Sequence, residues 1–71
     1  MTAKEKWNMM NLKEALELAI EAEAAAMNRY NNLAREVEDP ETRLMLEQIA
    51  KEEAGHLKKL KDRLKALALV G

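Results

Sequence analysis

Apolar side chains recur at intervals of three and four residues along two long stretches of the sequence. This is the spacing of one face of an α-helix. In the first stretch the apolar positions are Leu16, Ile20, Met27, Tyr30, Ala34 and Val37, and in the second they are Leu46, Ile49, Leu60, Leu64 and Leu67. The pattern predicts two amphipathic helices, each with an apolar seam along one side.

A single interior break separates the two patterns, at the tetrapeptide EDPE of residues 38–41. Pro40 fits the first turn of a new helix, where a backbone N–H is not needed. Asp39 is suited to cap that helix, and Glu41 favours the positive end of the helix dipole. The break therefore predicts a short turn between two antiparallel helices.

The capping residues set the expected ends of the helices. Asn11 is a suitable N-cap for the first helix, with Glu14 three residues later in the position of a capping box. We predict helices over about residues 12–37 and 40–67, so that the fold is all-α and residues 1–71 form one helical-hairpin domain. In the lead-in before Asn11, we expect Trp7 to pack against an end of the helices.

Three ionisable residues interrupt the apolar seams. Glu23 lies in the middle of the first seam, and Glu53 and His56 lie in the middle of the second. With a turn near residue 39, an antiparallel hairpin brings all three to one level, roughly 20–25 Å from the turn at the rise of an α-helix. The three-residue spacing also places Glu53 and His56 on one side of their helix. The sequence therefore predicts that these three side chains converge.

Carboxylates within an apolar seam have to be explained, because removing them from water without a partner costs several kcal/mol each. Two glutamates and a histidine at one level form a donor set that suits a transition-metal ion. We therefore predict Glu23, Glu53 and His56 as metal ligands. The alternative is an interior histidine that is ion-paired with glutamate and binds no metal.

Three motifs resemble the rubrerythrin-like branch of the ferritin-like superfamily. They are EAAAMNRY, in which Tyr30 follows Glu23 by two turns, DPETR at the turn, and EEAGH. Ferritin-like di-iron proteins bind metal with a Glu from each of two helices and a Glu-x-x-His from each of the other two. This sequence holds half of that set and is similar to half-ferritins, including the encapsulated ferritins, in which one helical hairpin dimerises to complete a four-helix bundle.

The resemblance implies a homodimeric ferritin-like four-helix bundle with two iron ions (Fe2+/Fe3+) per dimer. It implies Glu23, Glu53 and His56 as the iron ligands, with Glu53 bridging the two irons, and Tyr30 as a tyrosine beside the ligands that binds no metal itself. Other divalent metals are compatible with the same donors. An enclosing protein shell is left open, since the C-terminal ALALVG has no clear equivalent of the encapsulated ferritins' targeting segment.

Composition narrows the range of functions. At 71 residues, the chain is too small to bury a large core without disulfides, metal or a partner chain. It has no cysteine, which excludes disulfides, thiolate metal sites and cysteine nucleophiles. Its 12 basic and 13 acidic residues are interspersed, so we expect binding to neither nucleic acid nor a membrane. The sequence indicates a cytoplasmic protein that associates with itself.

The resemblance implies an oxidoreductase that oxidises Fe(II) with O2 or peroxide. Two alternatives stay open. In the first, the same di-iron site reduces peroxide with electrons from an external donor, in the manner of rubrerythrins. In the second, the chain is a metal-free structural dimerisation module whose seam charges pair across the interface.

Overall fold

Two α-helices make up the part of the chain that the computed structural model describes, residues 11–70. They are α1 (Leu12–Glu36) and α2 (Pro40–Val70), and they pack against one another as a hairpin. The prediction of an all-α hairpin is confirmed. α1 ends one residue earlier than predicted, and α2 continues past residue 67 to Val70. The predicted packing of Trp7 falls outside the described residues.

The start of α1 is held by Asn11, which has an extended backbone with φ −78° and ψ 164°. The Glu14 backbone N–H donates to Asn11 Oδ1 at 2.8 Å. In return, the Asn11 Nδ2 donates to Glu14 Oε1 at 3.1 Å. The predicted capping pair therefore forms, although the Glu14 carboxylate accepts from the asparagine side chain and not from its backbone.

The turn between the helices satisfies its own polar groups. Val37 leaves the helical conformation, with φ −81° and ψ 139°. The Asp39 carboxylate caps α2 by accepting hydrogen bonds from the Thr42 backbone N–H, at 3.0 Å, and from the Thr42 hydroxyl. The Arg43 Nη2 donates to the Val37 carbonyl oxygen at 2.9 Å. This last bond ties the end of α1 to the start of α2, and the sequence pattern did not predict it.

Small residues allow the helices to approach closely. Ala34 on α1 and Ala50 on α2 are each 4% exposed, and Leu57 is 9% exposed. The seam residues predicted on α1 are half-buried or buried, and on α2 the same holds for all but His56. At the level of the three ionisable residues, Leu57 lies at the centre of the α2 seam, one residue after His56. The histidine therefore lies on the flank of the seam, where it remains exposed.

The hairpin is a single layer of helices. Over the described residues, α1 and α2 lie side by side and pack only on each other. Among the described residues, neither helix is long and apolar enough to cross a membrane. Globular domains usually bury their core between two packed layers, so one layer leaves much apolar surface uncovered.

Candidate metal centre

The two helices bring the three predicted ligands together across the seam. α1 contributes Glu23, and α2 contributes Glu53 and His56, which are one turn apart. The Nδ1 atom of His56 lies 3.5 Å from Glu23 Oε2 and 3.9 Å from Glu53 Oε1. One donor atom from each residue lies within 4.8 Å of the others. Among residues 11–70, this is the one group of at least three acidic or histidine side chains with metal-binding geometry.

The group is enclosed on the seam side and open on the other. The Glu53 side chain is 19% exposed and that of Glu23 is 29% exposed, whereas His56 is 56% exposed. Within this partly enclosed group, Glu23 Oε2 is buried and has no hydrogen-bond partner. Its nearest donor, His56 Nδ1, is at 3.5 Å, which is longer than a normal hydrogen bond. A buried oxygen of this kind requires a proton, a cation or a donor from outside the chain.

The electrostatics of the group follow from the two carboxylates facing one another. The pKa of Glu53 is raised above its ordinary value of 4.5, mainly because its protonated form hydrogen-bonds with Glu23. Desolvation and repulsion by Glu23 and Glu52 raise the pKa further, and the attraction of His56 opposes them. When both carboxylates are ionised, neither can donate a hydrogen bond to the other. A proton or a cation between them therefore relieves the repulsion between Glu23 and Glu53.

The observed donor set fits a metal ion. Two ligand atoms bound to one ion at about 2.0–2.2 Å lie roughly 3–4.4 Å apart. Both distances from the His56 nitrogen, 3.5 and 3.9 Å, fall in this range. The unpartnered Glu23 oxygen adds an acceptor that the chain itself leaves unused. Carboxylates combined with imidazole favour iron and similar first-row ions over soft metals such as Cu(I).

The other residues that the sequence singled out lie near this group without entering it. Tyr30 is half-buried and follows Glu23 by two turns on the same side of α1. Its role beside the metal ligands stays a prediction. Glu52 is exposed, as expected for a surface residue, and its charge raises the pKa of Glu53.

This hairpin brings two carboxylates and an imidazole together across its seam, and these are the donor types of helix-bundle metal proteins. The family model for rubrerythrin matches residues 2–69, nearly the whole chain. The chain therefore belongs to the rubrerythrin family, a ferritin-like family of di-iron proteins. Comparison with curated proteins and with solved structures finds no match.

Proposed function

We propose that this protein is a non-haem di-iron carboxylate protein that oxidises Fe(II) with O2 or peroxide. Two hairpins form a homodimeric four-helix bundle, and each contributes Glu23, Glu53 and His56 to a shared centre that holds two iron ions. The observation that carries the proposal is the buried Glu23 Oε2, which has no partner within its own chain and faces the His56 nitrogen.

The proposed dimer would bury apolar surface that a single hairpin leaves exposed. Among the residues described, only Ala34, Ala50 and Leu57 are buried. Larger apolar side chains remain at the surface, among them Leu44 at 67% and Met45 at 62% exposure. A second hairpin packed on the first would supply the missing layer and complete a four-helix bundle.

The residues of the site have separate roles in this proposal. When ionised, Glu23 and Glu53 carry two negative charges per chain, which balance one divalent ion. His56, when neutral, adds a nitrogen donor and no charge. Bound iron supplies the redox electrons. As substrate, each Fe(II) gives up one electron, so a pair of Fe(II) ions together with two protons reduces one peroxide to water.

Anaerobic titration of the purified protein with Fe(II) tests the site. The proposal expects saturation at two ions per dimer, followed by formation of Fe(III) when peroxide or O2 is added. Saturation at one ion per chain pair would contradict the shared site. Protein purified without chelator that contains no metal and binds none in the titration would favour the structural dimerisation module.

The role of iron is tested separately by counting electrons. If iron is the substrate, the Fe(II) consumed accounts for the peroxide reduced, and Fe(III) accumulates. If the protein instead reduces peroxide catalytically, a slow external reductant is consumed in proportion to the peroxide while the amount of oxidised iron stays constant. The second result would replace Fe(II) oxidation by peroxide reduction and leave the site itself unchanged.

A further inference from the structure

Apolar side chains are left uncovered at the end of the hairpin away from the turn. On α1, Leu16 is half-buried, but Leu12, one turn earlier, is 67% exposed. On α2, Leu64 is half-buried, but Ala68, one turn later, is exposed. Residues four apart lie on the same side of a helix, so the cover that each helix gives the other stops between these positions.

The lengths of the helices explain why the cover stops there. α1 has 25 residues and α2 has 31, and the short turn 37–39 joins them at the other end. The six additional residues extend α2 by about 9 Å past the start of α1, at the rise of an α-helix. Among the described residues, no part of α1 is level with this extension.

The extension is apolar on every side. Residues 66–69 read ALAL, whereas charged residues recur along the rest of α2. Leu69 is 89% exposed, more than any other large apolar residue in the described part of the chain. A helical segment that is apolar all round is normally buried. We call the uncovered surface the open end, defined by Leu12 on α1 and by Ala68 and Leu69 on α2.

The lead-in, residues 1–10, joins α1 at this same end. It lies outside the described residues, and its sequence suits it to cover the open end. Three large apolar residues, Trp7, Met9 and Met10, come shortly before Asn11. Asn11 has an extended backbone, so the chain leaves the helical path of α1 at that residue.

The reach of the lead-in matches the distance to the extension. Packed helices lie about 8–10 Å apart, so the extension, about 9 Å long, lies roughly 9–13 Å from the start of α1. Trp7 precedes Asn11 by four residues, which span at most about 14 Å when extended. The indole of Trp7 is therefore within reach of Ala68 and Leu69.

We infer that the lead-in folds back over the open end, with Trp7 packed on Ala68 and Leu69 of its own chain. The lead-in is favoured over a second copy because it is tethered. A segment on a short linker acts at an effective concentration of about 1 mM or more, well above that of a free partner in dilute solution. Tryptophan also suits the edge of a structure, since its ring covers a large apolar area while its N–H stays in water.

The contact is independent of the proposed metal centre. Leu12 precedes Glu23 by 11 residues, so the open end lies about 16 Å from the metal group along the helix axis. Substitutions at the open end should therefore leave Fe(II) binding unchanged.

Fluorescence tests the contact directly, because Trp7 is the only tryptophan in the chain. In the metal-free protein, Trp7 should emit at a shorter wavelength than in the urea-unfolded chain, and acrylamide should quench it several-fold more slowly. Leu69→Gln should move the quenching rate most of the way to that of the unfolded chain. The matched control is Leu44→Gln, at a residue 67% exposed near the turn, and it should leave the rate unchanged. Circular dichroism checks that both variants remain helical.

Thermal melts test whether the contact stabilises the chain. Trp7→Ala and Leu69→Gln should each lower the Tm, and the double variant should melt hardly below Trp7→Ala alone, because residues in contact share one interaction. Trp7→Ala combined with Leu44→Gln should instead show the sum of two separate changes. Additive effects of Trp7→Ala and Leu69→Gln would overturn the inference.

Dilution separates the chain's own lead-in from a second copy. The protection of Trp7 from acrylamide should not change with protein concentration, because the contact lies within one chain. Protection that is lost on dilution would show that another chain covers Trp7, and would overturn the inference. A wild-type Trp7 quenched as fast as in the unfolded chain would overturn it as well, even if Leu69→Gln failed to fold. None of these results alters the Fe(II) titration, which tests the proposed function separately.

Discussion

The turn and the metal group both contain carboxylates, but the pKa of the turn carboxylate is lowered and that of a metal-group carboxylate is raised. At the turn, Asp39 accepts hydrogen bonds from the backbone and hydroxyl of Thr42, and these bonds lower its pKa. In the metal group, Glu53 faces Glu23, and the pKa of Glu53 is raised. One oxygen of Glu23 is buried there without a partner.

The difference shows that the donors around a carboxylate decide whether it stabilises the fold. Asp39 finds its donors on Thr42, in the first turn of the helix that it caps, so the turn is complete in one chain. Glu23 and Glu53 are both acceptors when ionised, so neither can satisfy the other. We therefore expect the turn to stabilise the hairpin, and the two facing carboxylates to lower its stability when neither a proton nor a cation lies between them. Four substitutions and two matched controls test this contrast.

The largest effect is expected on metal binding. Glu53→Ala removes a carboxylate that faces both other ligands and should weaken Fe(II) binding by more than about 100-fold. This loss exceeds the one usually seen when a residue that only hydrogen-bonds to a metal ligand is removed. The neighbouring Glu52→Ala, on an exposed residue, is the matched control and should bind Fe(II) almost normally. Anaerobic Fe(II) titration compares the two. Normal binding by Glu53→Ala would show that metal binds elsewhere.

The next largest effect concerns the thermal stability that metal provides. Fe(II) at 100 times its dissociation constant should stabilise the folded wild type by about 2.7 kcal/mol, if the unfolded chain does not bind it. His56→Ala should lose most of the resulting rise in Tm, because it removes the nitrogen donor. Anaerobic calorimetry with and without Fe(II) measures the difference.

The metal-free protein provides the control for this substitution. His56 is more than half exposed, so His56→Ala should change the Tm of the metal-free protein only slightly. A large loss of stability without metal, together with an unchanged response to Fe(II), would instead assign His56 a structural pairing role.

A moderate effect is expected at the turn. Asp39→Ala removes the cap of α2 and should lower the Tm by several degrees at pH 7. Because the pKa of Asp39 is lowered below its ordinary value of 3.8, its contribution is present above that pH and is lost as the pH falls through the pKa of the folded state. The penalty of Asp39→Ala should therefore shrink in acid, as thermal melts between pH 7 and pH 2 would show.

Asp62→Ala is the matched control for the turn. The pKa of Asp62 is also lowered, by its hydrogen bond with the exposed Lys58. Surface pairs of this kind contribute little to stability, so the change in Tm should be close to zero. Equal effects of Asp39→Ala and Asp62→Ala would contradict the special role of the turn. Neither substitution should change Fe(II) affinity.

The smallest effect is a gain in stability in the metal-free protein. Since the pKa of Glu53 is raised above 4.5, its stabilising contribution is complete below pH 4.5 and is lost as the pH rises through the pKa of the folded state. Glu53→Gln cannot ionise, and its amide can donate to Glu23. It should therefore melt slightly above wild type at pH 7 and level with it near pH 4. If Glu53→Gln had a lower Tm than the wild type at pH 7, this would contradict the repulsion between Glu53 and Glu23.

Some features of the fold and site depend only on nearby residues, and these followed from the sequence. Asn11 and Asp39 cap helices through bonds that span three residues, so their patterns predict the helix starts directly. A short turn between two long helices leaves little freedom in register. Glu23 could therefore be placed opposite Glu53 and His56, and the three side chains do lie together.

The tertiary structure decided what depends on how the helices are rotated against each other. A helical period of 3.6 residues allows either His56 or Leu57 to follow Glu53 in the seam, and packing buries Leu57 while leaving His56 exposed. The bond from Arg43 to the Val37 carbonyl likewise requires the folded turn. Close packing at Ala34 and Ala50 sets the rotation of each helix, which periodicity alone does not specify.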